Sequence, residues 1–137
     1  MDCGSPTALL PILHYDDTRA ALRFLVEVLG FHEVLAAEDD DGDVAHAELR
    51  WPGGGGLVVG GTKHAESVHG AMRTGSSAIY LATDDVDAIH RSVLLANGDV
   101  VEPPQHTRLG SGAECYLLTV RDSEANLWTF GTHRGAF

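Results

Sequence analysis

The sequence predicts an α+β domain of two tandem βαβββ modules, at about residues 8–62 and 76–132 of a single 137-residue domain. Three observations carry this expectation. Residues 15–31 have the apolar spacing of an amphipathic helix, with Asp17 placed to cap its first turn and Gly30 placed to end it. Residues 83–99 repeat the pattern: with Asp17 set on Asp85, Asp16 falls on Asp84, Ala20 on Ala88, Arg23 on Arg91 and Gly30 on Gly98. Around each helix, apolar and alternating runs read as strands in one shared order, strand–helix–strand–strand–strand.

In the first module, residues 8–15 read as a strand, with Pro11 at an edge or bulge. In the helix, Ala20, Ala21, Phe24, Leu25 and Val28 share one face, and Arg23 and Glu27 lie four apart on the other. Residues 31–38 form a strand closed by the acidic turn Asp39-Asp40-Asp41-Gly42-Asp43, which lacks the spacing and terminal glutamate of a calcium loop. Residues 44–51 are the clearest strand: Ala45, Ala47, Leu49 and Trp51 on one face, His46, Glu48 and Arg50 on the other. Pro52 and four glycines, which match no phosphate-binding pattern, turn the chain into a strand at 57–61. A polar loop follows, with His64 and His69 read as surface residues.

The second module opens with a strand at 77–83. Its helix starts at Asp85, turns Val86, Ile89, Val93 and Ala96 inward, and ends at Gly98. A short strand at 99–102 gives way to a polar loop from Pro103-Pro104 to Gly112, which carries His106 and Arg108. Strands at 113–121 and 127–132 complete the module around a turn at 122–126.

Composition narrows the function. The net charge of −11 excludes the basic footprint of a nucleic-acid binder. It favours a cationic ligand over an anionic one, although solubility alone accounts for it. No apolar run approaches the roughly 20 residues of a membrane span. Residues 1–7 read as a loose tail without the basic start of a secretory signal. Cys3 and Cys115 make no disulfide framework, so a cytoplasmic location is expected, with Cys115 a small buried apolar residue.

Strand parity then gives candidate ligand contacts. The row His46, Glu48, Arg50 lies opposite the helix-facing row, toward water or a cleft. Matched positions place Leu10, Ile12 and His14, then Ala78, Tyr80 and Ala82, then Glu114, Tyr116 and Leu118, then Leu127 and Thr129 on the same side. His46 and Glu48 share a face and are the candidate catalytic acid/base pair; the alternative is a solvated strand with Arg50 neutralising Glu48. Tyr80 and Tyr116 are placed to stack on a planar ligand or to pack within a sheet. Trp51 and Trp128 read as core. No nucleophilic triad emerges, since Ser76, Ser77 and Ser111 lack an elbow context and Cys115 lacks a histidine partner.

Three stretches carry a family resemblance: Asp16-Asp17 through Leu29-Gly30-Phe31, Asp84-Asp85-Val86-Asp87-Ala88, and Asp122-Ser123-Glu124-Ala125-Asn126-Leu127-Trp128. On these the chain resembles the vicinal oxygen chelate superfamily, the glyoxalase, bleomycin-resistance and extradiol-dioxygenase group. The resemblance implies a curved sheet around a cleft and a homodimer. Metal-using members hold their ligands at inward strand positions that here match Leu10, Glu48, Ala78 and Thr129. Leucine and alanine cannot coordinate a divalent ion, and threonine replaces a carboxylate poorly. No metal or other cofactor is therefore expected, unless those positions are misaligned. The function this implies is binding of a small molecule, an antibiotic-like, aromatic or cationic compound, through His14, His46, Glu48, Arg50, Tyr80, Tyr116 and Thr129. The alternative is a glyoxalase- or dioxygenase-like enzyme, using a divalent metal or the His46/Glu48 pair. Where members commonly have proline and glycine in the final turn, this chain has Ser123 and Ala125. Ala125 must then avoid a left-handed conformation or bear its strain.

Overall fold

Twin aspartates start both helices, as their spacing predicts. In the computed structural model, which describes residues 9–63 and 74–135, Asp17 accepts a hydrogen bond from the Ala20 N–H at 3.0 Å and Asp85 one from the Ala88 N–H at 3.2 Å. The expectations for the first seven residues, Cys3, His64 and His69 lie outside the described residues.

The first module runs β1 (Ile12–Tyr15), α1 (Thr18–Arg23), β2 (His32–Glu38), β3 (Val44–Arg50) and β4 (Gly56–Gly61). The second runs β5 (Ala78–Ala82), α2 (Val86–Leu95), β6 (Asp99–Arg108), β7 (Glu114–Arg121) and β8 (Leu127–Gly131). The two four-stranded mixed sheets share one topology, β1-β4-β3-β2 and β5-β8-β7-β6. The parallel pairs are β1–β4 and β5–β8. This is the predicted α+β architecture of tandem βαβββ modules, with each sheet open rather than closed into a barrel.

The helix-facing sides of both sheets meet in one core. Phe31 packs on Trp51 at 5.0 Å and on Trp128 at 5.8 Å, and Trp51 packs on Phe130 at 5.8 Å between ring centroids. Trp51, Trp128, Phe130 and Leu25 are buried, as are Val86 and Val93 of α2. Because the helix-bearing sides face this shared core, the opposite face of each sheet is directed away from it.

Three elements differ from the sequence reading. First, α1 does not continue regularly to Gly30. Residues Phe24–Val28 form a widened π-helical turn in which the Leu29 N–H donates to the Phe24 carbonyl five residues back. Second, α2 is closed by Asn97 in a left-handed conformation, φ 56°, with the Gly98 N–H donating to the Val93 carbonyl at 2.9 Å. Gly98 serves close packing instead: a β-carbon there would lie 2.7 Å from Val93 Cγ1. Third, β6 runs straight through Pro103-Pro104, which the sequence reading made a loop. The strand lies at the sheet edge and its register shifts between Glu102 and Gln105, so the bulge spares both prolines the ladder N–H they lack. His106 and Arg108 are thus strand residues.

Ala125 takes the left-handed conformation, φ 76°, at the fourth position of the Asp122–Asn126 turn. Its β-carbon costs roughly 1–2 kcal/mol there. Ala125→Gly removes that cost against about 0.5–1 kcal/mol of extra chain entropy. A net gain near 0.5–1 kcal/mol is expected as a higher urea midpoint with unchanged slope.

Candidate functional site

Two open sheet faces carry most of the polar and aromatic residues singled out in the sequence, Tyr116 excepted. On the first sheet, cross-strand registers align Ile12 with Val58 and Glu48, and His14 with Gly60 and His46. Gly60 leaves a gap between the two histidines, over which the His14 ring leans: a β-carbon at Gly60 would lie 3.4 Å from His14 Cδ2. His46 Nε2 lies 3.0 Å from Glu48 Oε2, both side chains about half exposed. Arg50 does not neutralise Glu48; its guanidinium lies 3.0 Å from His32 Nδ1. This face is therefore a polar surface of two imidazoles, a carboxylate and a guanidinium, edged by Ile12 and Leu35.

On the second sheet, the open face carries Ala78, Tyr80 and Ala82 of β5 and Leu127, Thr129 and Gly131 of β8. The expectation for β7 fails by one residue. Tyr116 points to the helix side, where its hydroxyl donates to Asp87 of α2 at 2.6 Å and its ring packs on His106 at 4.6 Å. That hydrogen bond, with smaller help from burial, raises the Tyr116 pKa. Leu118 is in the core, and Glu114 pairs with Arg108 at 3.1 Å. The residues of β7 that reach the open face are Cys115, Leu117 and Thr119. The register fixes this parity: Thr119 faces Thr129 across β7–β8 as Glu48 faces Val58 across β3–β4.

A cavity of ≈ 550 Å³ lies over this second face, lined by Ile79, Tyr80, Leu109, Leu117, Thr129 and the segment from His133 to Gly135. The Tyr80 hydroxyl donates to the His133 carbonyl at 2.7 Å and lies 3.6 Å from Cys115 Sγ, so tyrosine and C-terminal segment brace each other. Arg134, which also lines the cavity, forms an ion pair with Asp84 at 3.1 Å. The sequence reading missed Leu109, Leu117, His133 and Arg134. This lining is apolar with a few convergent polar groups, as small-molecule sites are. A hollow of ≈ 560 Å³ on the helix side of the first module, between α1 and β2, is lined by Arg19, Arg23, Glu27, Glu33 and Glu38, and its Arg19 is paired with Glu38.

The symmetry of the modules bears on which residues occupy the positions that the resemblance assigns to metal ligands. Ile12 pairs with Val58 as Tyr80 pairs with Thr129. The first-module counterpart of Thr129 is therefore Val58, and Glu48, one strand over, is the counterpart of Thr119. Leu10, Val58, Ala78 and Thr129 offer one hydroxyl and no carboxylate, thiolate or imidazole, so this donor set does not fit a divalent ion. Among the described residues no three His, Cys, Asp or Glu side chains are arranged to hold one.

The acidic turn after β2 is occupied from within. Lys63 Nζ reaches Asp43 at 2.6 Å, Asp41 at 3.0 Å and Asp39 at 3.4 Å. Burial pulls the Asp39 carboxyl up, but the N–H groups of Asp43 and Asp41 and the Lys63 ammonium together hold it below its usual range. A carboxyl lowered on folding stabilises the fold above its unfolded pKa, about 3.9, and that contribution fades as the pH falls through the lower folded value. An NMR titration should find Asp39 below the free aspartate value, and Lys63→Met should move it up.

The sequence model of the Glyoxalase/Bleomycin resistance protein/Dioxygenase superfamily matches residues 10–130. The chain belongs to this superfamily. Solved structures agree with the fold. TioX from Micromonospora sp. ML1 is 29% identical with a TM-score of 0.76, over 94% of this chain and 100% of that one. TnmS3, an antibiotic binding protein from Streptomyces sp. CB03234, is 21% identical with a TM-score of 0.68, over 94% and 97%. Lactoylglutathione lyase from Agrobacterium tumefaciens is 20% identical with a TM-score of 0.63, over 93% and 94%. A search among curated protein sequences finds no significant match. The superfamily thus includes both binders and enzymes on this fold, and the chain's own site must decide between them. No helix among the described residues is long and apolar enough to cross a membrane.

Proposed function

We propose that this superfamily member is a metal-free small-molecule-binding protein of the cytoplasm that sequesters an aromatic, antibiotic-like compound. The observation that carries the proposal is the apolar cavity walled by Tyr80, and the side chains of Leu10, Val58 and Ala78 offer no metal donor beside it. The likeness in fold to TnmS3, an antibiotic binding protein, is consistent with this reading.

The two open faces point away from the shared core, and Ile12, Leu35 and Tyr80 on them are 42–44% exposed. A second copy of the chain, laying its first-module face over the second-module cavity, would cover them. Each site would then combine an aromatic, apolar wall with the polar row His14, His46, Glu48 and Arg50. A cationic or polar substituent on the ligand would meet that row.

Calorimetry of the folded protein against a panel of aromatic antibiotics, beside sedimentation for the dimer, tests this reading. The expected result is a dimer that binds at least one compound equally well with and without a chelator. Binding of none sinks it.

One observation favours a second reading, an enzyme using His46 and Glu48: their 3.0 Å contact. That reading predicts a turnover abolished by His46→Ala. An enzyme using a divalent ion instead predicts a stoichiometric metal in protein purified without chelator, measured by elemental analysis.

A further inference from the structure

The cavity over the second sheet has a polar floor within its apolar walls. Thr119 Oγ1 and Thr129 Oγ1 lie 2.8 Å apart across β7–β8. Each hydroxyl carries one proton and two acceptor sites, so one proton joins the pair and the other is left over. Where it goes follows from burial. Thr119 is 8% exposed, whereas Thr129 is half-buried and lines the cavity. If Thr129 donated, the remaining Thr119 proton would sit desolvated, at a cost. The lower-energy arrangement has Thr119 donating to Thr129, which leaves the Thr129 proton directed at the cavity.

The walls restrict shape. Tyr80 presents its ring along one side, held there by the bond to the His133 carbonyl at 2.7 Å. Ala78, Leu109 and Leu117 supply the remaining apolar contact. Arg134 is already paired with Asp84, so a neutral acceptor suits the floor better than an anion.

We infer that this cavity takes a planar, apolar ring system bearing a neutral carbonyl oxygen, which accepts a hydrogen bond from Thr129. Thr119 is a positioning residue that turns the Thr129 proton outward. The inference rests on the small-molecule-binding reading and adds the chemistry of the part of the ligand seated on the second module.

Coumarin and naphthalene test it. Both are flat bicyclic molecules of similar size, and only coumarin carries a ring carbonyl. Titrations of the full-length protein followed by NMR shifts give both affinities and report folding at once. Coumarin is expected to bind roughly 5-fold tighter than naphthalene, in line with one net hydrogen bond. Thr129→Val, or Thr129→Ala if valine perturbs the sheet, should bring the ratio near one with naphthalene unchanged, and Thr129→Ser should restore it. Thr119→Val should shrink the ratio without weakening naphthalene, whereas a merely structural Thr119 would weaken both alike. A preference that survives Thr129→Val, or no preference in the native protein, overturns the inference. Failure of both molecules to bind also overturns it, and the antibiotic panel then decides the broader reading separately.

Discussion

Replacing Asp122 with alanine is expected to destabilise the fold by at least about 3 kcal/mol, since buried donors left without an acceptor cost roughly 1–3 kcal/mol each. Asp122 is buried in the turn between β7 and β8 and serves both modules. Its Oδ2 accepts from the Tyr15 hydroxyl at 2.6 Å, the Trp128 indole at 3.0 Å and the Asn126 amide at 3.2 Å. Its Oδ1 accepts from the N–H groups of Glu124 and Asn126, both at 3.0 Å. Burial, and then the bond to Asp122, push the Tyr15 phenol far above its ordinary range, so it remains a donor at any working pH. Asp122→Asn keeps the shape but aims N–H groups at other donors, and should be nearly as harmful. Tyr15→Phe removes one donor and leaves the others satisfied, at a cost of about 1.5–3 kcal/mol. Thermal unfolding should order the variants accordingly, with Asp122→Ala lower by about 10 °C or more. Equal stability of Asp122→Ala and the native chain would refute the role of this carboxyl.

Trp51→Ala should cost about 3–5 kcal/mol, the usual penalty for emptying a buried aromatic site. Trp51 is 8% exposed at the end of β3 and touches Phe31 from its own module and Phe130 from the other. Its indole N–H also donates to the Ala82 carbonyl of β5 at 3.1 Å. The substitution therefore opens a cavity and orphans an acceptor at the seam between modules. Trp51→Phe refills most of the cavity without the donor, so it should recover the larger part of the loss. If urea unfolding instead separates into two transitions in Trp51→Ala, the seam is the weakest part of the core.

The second module braces the first through its last turn. Asp122 holds Tyr15 from one side, and Glu124 accepts from the N–H groups of Asp16 and Asp17 at 2.7 and 2.9 Å. The aspartate pair that starts α1 is thus tied to the partner module before its helix begins. The order of elements was legible because its signals are local: Asp17 and Asp85 cap helices within three residues, and the alternation around His46 and Glu48 is clean. The parity of β7 was not legible. The apparent match of Ala47-Glu48 with Ala113-Glu114 set it, but the two modules' loops differ in length and the register pairs Glu48 with Thr119 as its counterpart. With a side-chain period of two, an odd displacement turns every residue to the other face, which moved Tyr116 out of the site and Leu117 and Thr119 into it. His133 and Arg134 were missed for a different reason. They follow the last strand, where no periodic pattern constrains the chain, and only tertiary contact with Tyr80 and Asp84 places them.

The course of β6 through Pro103-Pro104 bears on how copies of this chain can meet. Neither proline has an N–H, so that stretch of the outer strand offers an approaching strand no donors. The other outer strand of a long pair, β2, has its register broken twice and carries Glu33 and Glu38. The remaining two edges, β1 and β5, are only four and five residues long. Among the described residues all four sheet edges are thus poor templates for strand addition. The broad faces of the sheets are left as the surfaces a second copy would meet, where side chains rather than backbone would set the contact.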